Sequence, residues 1–164
     1  MHFPNTWIVT PHVGAGVVLL GMTMSEVQNS IGAPCQSPDP VWGSTGSLRA
    51  GWHENALTIL FSPRADYIEI SRGTELDPEL LGIRVFEDAA DSVVAQLVAK
   101  GYTFDRDDPE LGYSYVFPGI DGSLWRPTIP SDPGDTDGQH FSSLGIGIRG
   151  YYAHTKIPHG SLPK

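Results

Sequence analysis

Residues Gly14–Pro34, "GAGVVLLGMTMSEVQNSIGAP", place four glycines around an apolar run and a short capped segment. Val17 to Leu20 is a four-residue apolar run between glycines and reads as a short strand or an extended entry. Thr23 stands three residues before Glu26, the capping-box spacing in which the threonine oxygen takes the Glu26 N–H and the carboxylate reaches back. A helix therefore starts at Thr23. Met24, Val27 and Ile31 fall on one face, Gly32 suits the position after the last turn, and Pro34 prevents continuation. A helix this short does not stand alone in water, so its apolar face must be buried. The glycines do not form a phosphate loop: the third comes too late for G-x-G-x-x-G, and Met22 stands where a P-loop needs lysine.

Working outward, Ser47–His53, Ala56–Phe61 and Tyr67–Arg72 read as three strands, the last two joined by the turn "SPRAD". Links this short predict antiparallel pairing. A shift of 66 residues brings a similar plan back, with Gly16 on Gly82, Val17 on Ile83, Val27 on Val93 and Ile31 on Leu97. The second helix spans about Ala89 to Lys100, with Asp88 as N-cap and Gly101 just past its end. Tyr113–Phe117, Ser123–Ile129 and Phe141–Tyr152 then read as three more strands. The expected fold is a single α+β domain over 1–164. Its antiparallel sheet packs helices on one face and is divisible into helix-meander half-units 14–72 and 82–152, with the two meanders edge to edge. "RGTELDPELLG" and "PSDPGDTDGQH" read as loops, and 153–164 as a loosely held tail.

A chain of 164 residues suits one domain, and 14 prolines with 19 glycines predict many turns. The formal charge is −9, from 19 acidic and 10 basic side chains. A field of that sign repels nucleic acid and anionic lipid and attracts basic partners. Cys35 is the lone cysteine, so no disulfide closes within the chain, which fits a reducing compartment. The first residues carry no basic and apolar leader, and no run is long enough to span a membrane, so a cytoplasmic location is expected.

Motifs for catalysis or metal binding are weak. "DPGDTDGQ", registered as a calcium loop, lacks the acidic residue at Pro133 and the glutamate at Leu144. His2, His12, His53, His140, His154 and His159 form no metal-spaced pattern, so no metal and no cofactor is expected. The aromatic residues carry more. Trp52, Trp125 and Tyr151 lie in expected strands beside Arg49 and Arg126, and Trp42 lies near one. On a sheet covered on one side, some of these side chains face solvent, where Trp, Tyr and Arg anchor interfaces; the alternative is that the tryptophans are core.

The string "LGMTMSEVQNSIGAP", followed by "GWHENALTILF" and "ADYIEISRG", resembles the helix-then-sheet module of the BamE/SmpA-like outer-membrane lipoproteins and of β-lactamase inhibitor proteins. It is also similar to small bacterial proteins with an "LWRP"-type strand, here Leu124 to Pro127. The match covers roughly the first 72 residues. In the inhibitors, the resemblance implies, two modules build a concave sheet that grips a protein partner. The chain departs from both families in lacking a lipid-attachment cysteine near its start and the cysteines for the inhibitors' disulfides.

The expectation is a non-enzymatic protein-binding domain, such as an immunity or inhibitor protein against a basic toxin or enzyme. Arg49, Trp52, Trp125, Arg126 and Tyr151 would be the anchors, and Asp132, Asp135 and Asp137 the steering charges. Two alternatives stay open: a small-molecule binder or hydrolase pairing His53 or His140 with Glu54 or Asp137, and an assembly factor that adds a sheet edge to a complex.

Overall fold

The structure is a computed structural model describing residues 5–73 and 75–154. Strand β1 (Asn5–Thr10) leads into two-residue strands β2 (Gly14–Ala15) and β3 (Val18–Leu19), then helix α1 (Met24–Ile31). The capping box is present in full: Thr23 Oγ1 accepts the Glu26 N–H at 3.2 Å, and the Glu26 carboxylate accepts the Thr23 N–H at 3.0 Å. A meander follows, made of β4 (Asp39–Pro40), β5 (Leu48–Trp52), β6 (Leu57–Phe61) and β7 (Ala65–Ser71). The second half opens with β8 (Leu76–Leu80) and β9 (Ile83–Arg84), then α2 (Ala90–Ala99). It continues through β10 (Ser114–Phe117), β11 (Gly122–Trp125) and β12 (Ser143–Gly147) to a helical turn, α3 (Tyr151–His154).

The two meanders lie edge to edge in one seven-stranded sheet, in the order β10-β11-β12-β7-β6-β5-β4, antiparallel throughout. The seam is β12 against β7, with Ile146 opposite Ile68 and Gly145 opposite Glu69. Both outer edges are blunted. β4 has two residues, one a proline, and the β10 edge gives the Val116 carbonyl to the Asp105 N–H at 2.8 Å.

A second sheet was not expected from the sequence. Its order is β3-β2-β1-β8-β9, and its centre is a parallel pair, β1 on β8. "RGTELDPELLG" is thus not all loop, since it contains β8 despite Pro78. The Pro78 carbonyl accepts the Val85 N–H on the β9 side. In an extended strand N–H and C=O of one residue point the same way, so the missing N–H faces that side and leaves the β1 ladder intact.

Two further expectations change. Asp88 does not cap α2: the N-cap is Ala89, and the Asp88 carboxylate instead accepts from Gln96 Nε2 at 3.0 Å. The last strand stops at Gly147, because Gly150, at φ 84°, turns the chain into α3. Ala153 and His154 end that turn, and the rest of the expected tail lies outside the described residues.

Along each strand of the large sheet the inward rows are apolar. One row runs Trp52, Leu57, Ile70, Leu144 and Leu124, and the next runs Ala50, Ile59, Ile68 and Ile146. They join Val27 of α1 and Val93 and Leu97 of α2 in one buried cluster. Trp52 was expected as a partner anchor and is instead core, 2% exposed. Its Nε1–H donates to the Gly32 carbonyl at 2.9 Å, which ties the end of α1 to the sheet. Trp52→Ala should therefore cost about 3–5 kcal/mol of stability by denaturant melt, whereas Trp125→Ala on the opposite face should stay within about 0.5 kcal/mol of the parent.

Candidate functional site

The outward rows of the large sheet are of a different kind. One runs Asp39, Arg49, Leu60, Tyr67 and Gly147, and the next runs Gly51, Thr58, Glu69, Gly145 and Ser123. A third runs Ser71, Ser143, Trp125 and Ser114. Period-two alternation puts every one of these side chains on the face away from the main core.

α3 lies over one end of this face. Tyr151 stacks on Tyr67 with ring centroids 4.7 Å apart, and the Tyr67 hydroxyl meets the Tyr152 hydroxyl at 2.8 Å and Ser123 Oγ at 3.0 Å. Glycine is needed beneath: a methyl built on Gly145 would overlap the Tyr67 hydroxyl, and one on Gly147 would press on the Tyr151 ring. The buried Asp121 holds the turn from below, accepting the Gly150 N–H at 2.9 Å and the Tyr152 N–H at 3.1 Å. His12 Nε2 reaches the same carboxylate at 2.9 Å. Burial pushes all three phenols up, Tyr151 to about 12, so they stay neutral and serve as stacking and hydrogen-bonding surface.

Beside the tyrosines the face dips into an open cavity of about 520 Å³, within the ordinary range for ligand sites. Leu60, Thr58 and Tyr67 line it, Trp42 and Asp39 stand at its β4 side, and Arg49 and Glu69 contribute opposite charges. Trp42 is 83% exposed. Among the described residues, neither the Arg49 guanidinium nor the Glu69 carboxylate has a hydrogen-bond or ion-pair partner. Burial raises the Glu69 carboxyl above its ordinary value, and the nearby charge of Arg49 offsets only part of this. Burial likewise raises Asp66, whose Oδ1 is buried without a partner.

Of the residues expected at an interface, Arg49 and Trp125 do stand on the open face, Trp125 at 42% exposure. Tyr151 is half-buried, stacked on that face. Arg126 is corrected: it is 3% exposed and points the other way from Trp125. Its guanidinium donates to the Gly112 carbonyl at 2.7 Å, the Gly138 carbonyl at 3.0 Å and Asp91 Oδ1 at 3.3 Å, so it pins the 127–140 loop. Within that loop, Asp132 accepts the Gly134 N–H at 2.8 Å and Asp135 the Asp137 N–H at 3.0 Å. The Ser131 N–H bond, and then the Asp137 one, lower the Asp135 carboxyl. Asp132 and Asp137 are exposed.

The His/carboxylate pairs considered from the sequence form differently. His53 Nδ1 lies 3.1 Å from Glu75, not Glu54, and His140 Nδ1 meets the Asp88 carbonyl at 3.1 Å, not Asp137. Among the described residues no group of three or more His, Cys, Asp or Glu could hold a metal ion. Likewise, no helix there is long and apolar enough to cross a membrane.

Sequence reasoning missed Tyr67 and Glu69 as site residues and noted Trp42 without naming it an anchor. The signal for the first two was present in "ADYIEIS", where Tyr67, Glu69 and Ser71 alternate with Ile68 and Ile70. A pH consequence follows for Glu69. The folded chain binds the Glu69 proton more tightly than the unfolded chain does, so ionisation costs stability above the ordinary value of 4.5. Glu69→Gln should therefore raise the melting temperature at pH 7, and the gain should fade as pH falls towards 4.5 and be absent below it.

No protein-family model matches the chain, and neither the curated proteins nor the solved structures give a significant match, so the reading of this face rests on its own residues.

Proposed function

We propose that this protein is a non-enzymatic protein-binding domain whose outward sheet face covers a basic partner, as an immunity or inhibitor protein covers the active site of a toxin or enzyme. The observation that carries this reading is the open face of the seven-stranded sheet, with Trp42, Trp125 and Arg49 exposed on or beside it. Those residue types supply large contact area and directed hydrogen bonds, and they dominate measured interface energies. Inhibition by such a surface is steric.

Electrostatics support the same reading. A net charge of −9 raises the encounter rate with a basic protein and disfavours acidic competitors. Asp132 and Asp137, exposed on the loop that Arg126 pins, add to that field. Arg49, Trp125 and Trp42 are the anchors, Tyr151 is a stacked wall, and Trp52 and Arg126 hold the fold beneath. Action inside the cell belongs to this proposal, since a lone Cys35 needs no oxidising compartment.

Capture from host lysate with the tagged chain, at low and at high salt, tests the reading. One stoichiometric basic protein should be retained at low salt and released at high salt. Retention should fall at least about tenfold with Trp42→Ala combined with Arg49→Ala, at an unchanged melting temperature. Retention untouched by these substitutions, or no protein retained at low salt, overturns it.

A further inference from the structure

We infer that the cavity between Trp42 and Glu69 is a receptor for one cationic side chain, an arginine or lysine presented by the partner, with Glu69 as its counter-ion; this rests on the protein-binding reading above. Glu69 stands on the outward row of β7, half-buried, with no hydrogen-bond or ion-pair partner among the described residues. The cavity lining carries two carboxylates, Asp39 and Glu69, against the single guanidinium of Arg49, so an incoming positive charge meets a net negative wall. Trp42 supplies an exposed indole able to face a guanidinium or ammonium, and Tyr67, stacked beneath Tyr151, lines the cavity as a neutral wall. Leu60 and Val41 suit the aliphatic stem of such a side chain.

Arg49 has a defined part in this arrangement. It lies close enough to influence the Glu69 carboxyl and yet forms no ion pair with it, so the carboxylate stays open to a second cation. The guanidinium is left to take a backbone carbonyl or a carboxylate flanking the inserted side chain. A carboxylate that costs the free chain stability is accounted for if a bound cation relieves it.

The test is an NMR titration of the full chain with N-acetyl-L-arginine methylamide and with its uncharged citrulline counterpart, which has nearly the same shape. Arginine should give saturable shifts at the Trp42 indole and the Glu69 amide, with a dissociation constant of about 1–10 mM as fits one side chain out of an interface. Citrulline should bind at least about tenfold more weakly, and Glu69→Gln should remove the difference. Because that variant is expected to be at least as stable as the parent, its loss of binding cannot be assigned to unfolding. Equal responses to the two compounds, no saturation with arginine by about 50 mM, or a preference that survives in Glu69→Gln overturns the inference. The two readings fail separately. Capture of a partner that Glu69→Gln leaves undiminished removes the cation receptor and keeps the binding face. Saturable arginine binding with no protein retained from lysate keeps the receptor and removes the protein partner.

Discussion

The seam between β7 and β12 is the constraint on which the rest of the molecule depends. Each meander alone is a small sheet with exposed edges, and pairing their last strands joins them into seven strands and removes two of those edges. On the inward side the seam places Ile68 opposite Ile146 and Ile70 opposite Leu144, continuous with the cluster that α1 and α2 enter. On the outward side it places Gly147 and Gly145 beside Tyr67 and Glu69. Only glycines leave room there for rings to lie flat, so the seam that unifies the core also makes the floor of the tyrosine cluster.

A division between structural and exposed arginine and tryptophan residues follows from strand alternation. Trp52 and Arg126 face inward, where one closes α1 and the other ties two loops together through the Gly112 and Gly138 carbonyls. Arg49 and Trp125 face outward, Arg49 lining a cavity that also holds the Glu69 carboxylate. A buried guanidinium with three hydrogen bonds and an exposed one with none among the described residues are chemically the same group in different roles. Only the second is available to a partner.

Much of the large sheet was legible in the sequence, because its signals are local. The Thr23 and Glu26 capping box sets α1, Gly101 ends α2 at φ 96°, and short turns fix antiparallel neighbours. The parallel pair β1–β8 was not legible. Its strands are far apart in the chain, and β8 carries Asp77, Pro78 and Glu79, which read as a turn. The candidate site was half legible. Arg49 and Trp52 are three residues apart and Trp125 and Arg126 are adjacent, and in a strand an odd separation sends two side chains to opposite faces. Each pair therefore had to split, and burial decided which member stayed outside. Trp42 escaped because it sits beyond a two-residue strand, where no periodicity can be counted.

The alternation has a consequence for how such a protein changes over generations. Inward and outward rows share a backbone but point to opposite faces, so exchanges at Arg49, Leu60, Glu69, Trp125 or the neighbouring serines should leave the packing of Ile59, Ile68 and Ile146 alone. The chemistry of one side can change while the scaffold stays fixed on the other. Gly145 and Gly147 are the exceptions, because they are bound to the tyrosines above them. Lineages that diversify this face would be freest at its exposed positions, such as Arg49 and Trp125, and least free along the seam and at the buried Thr58.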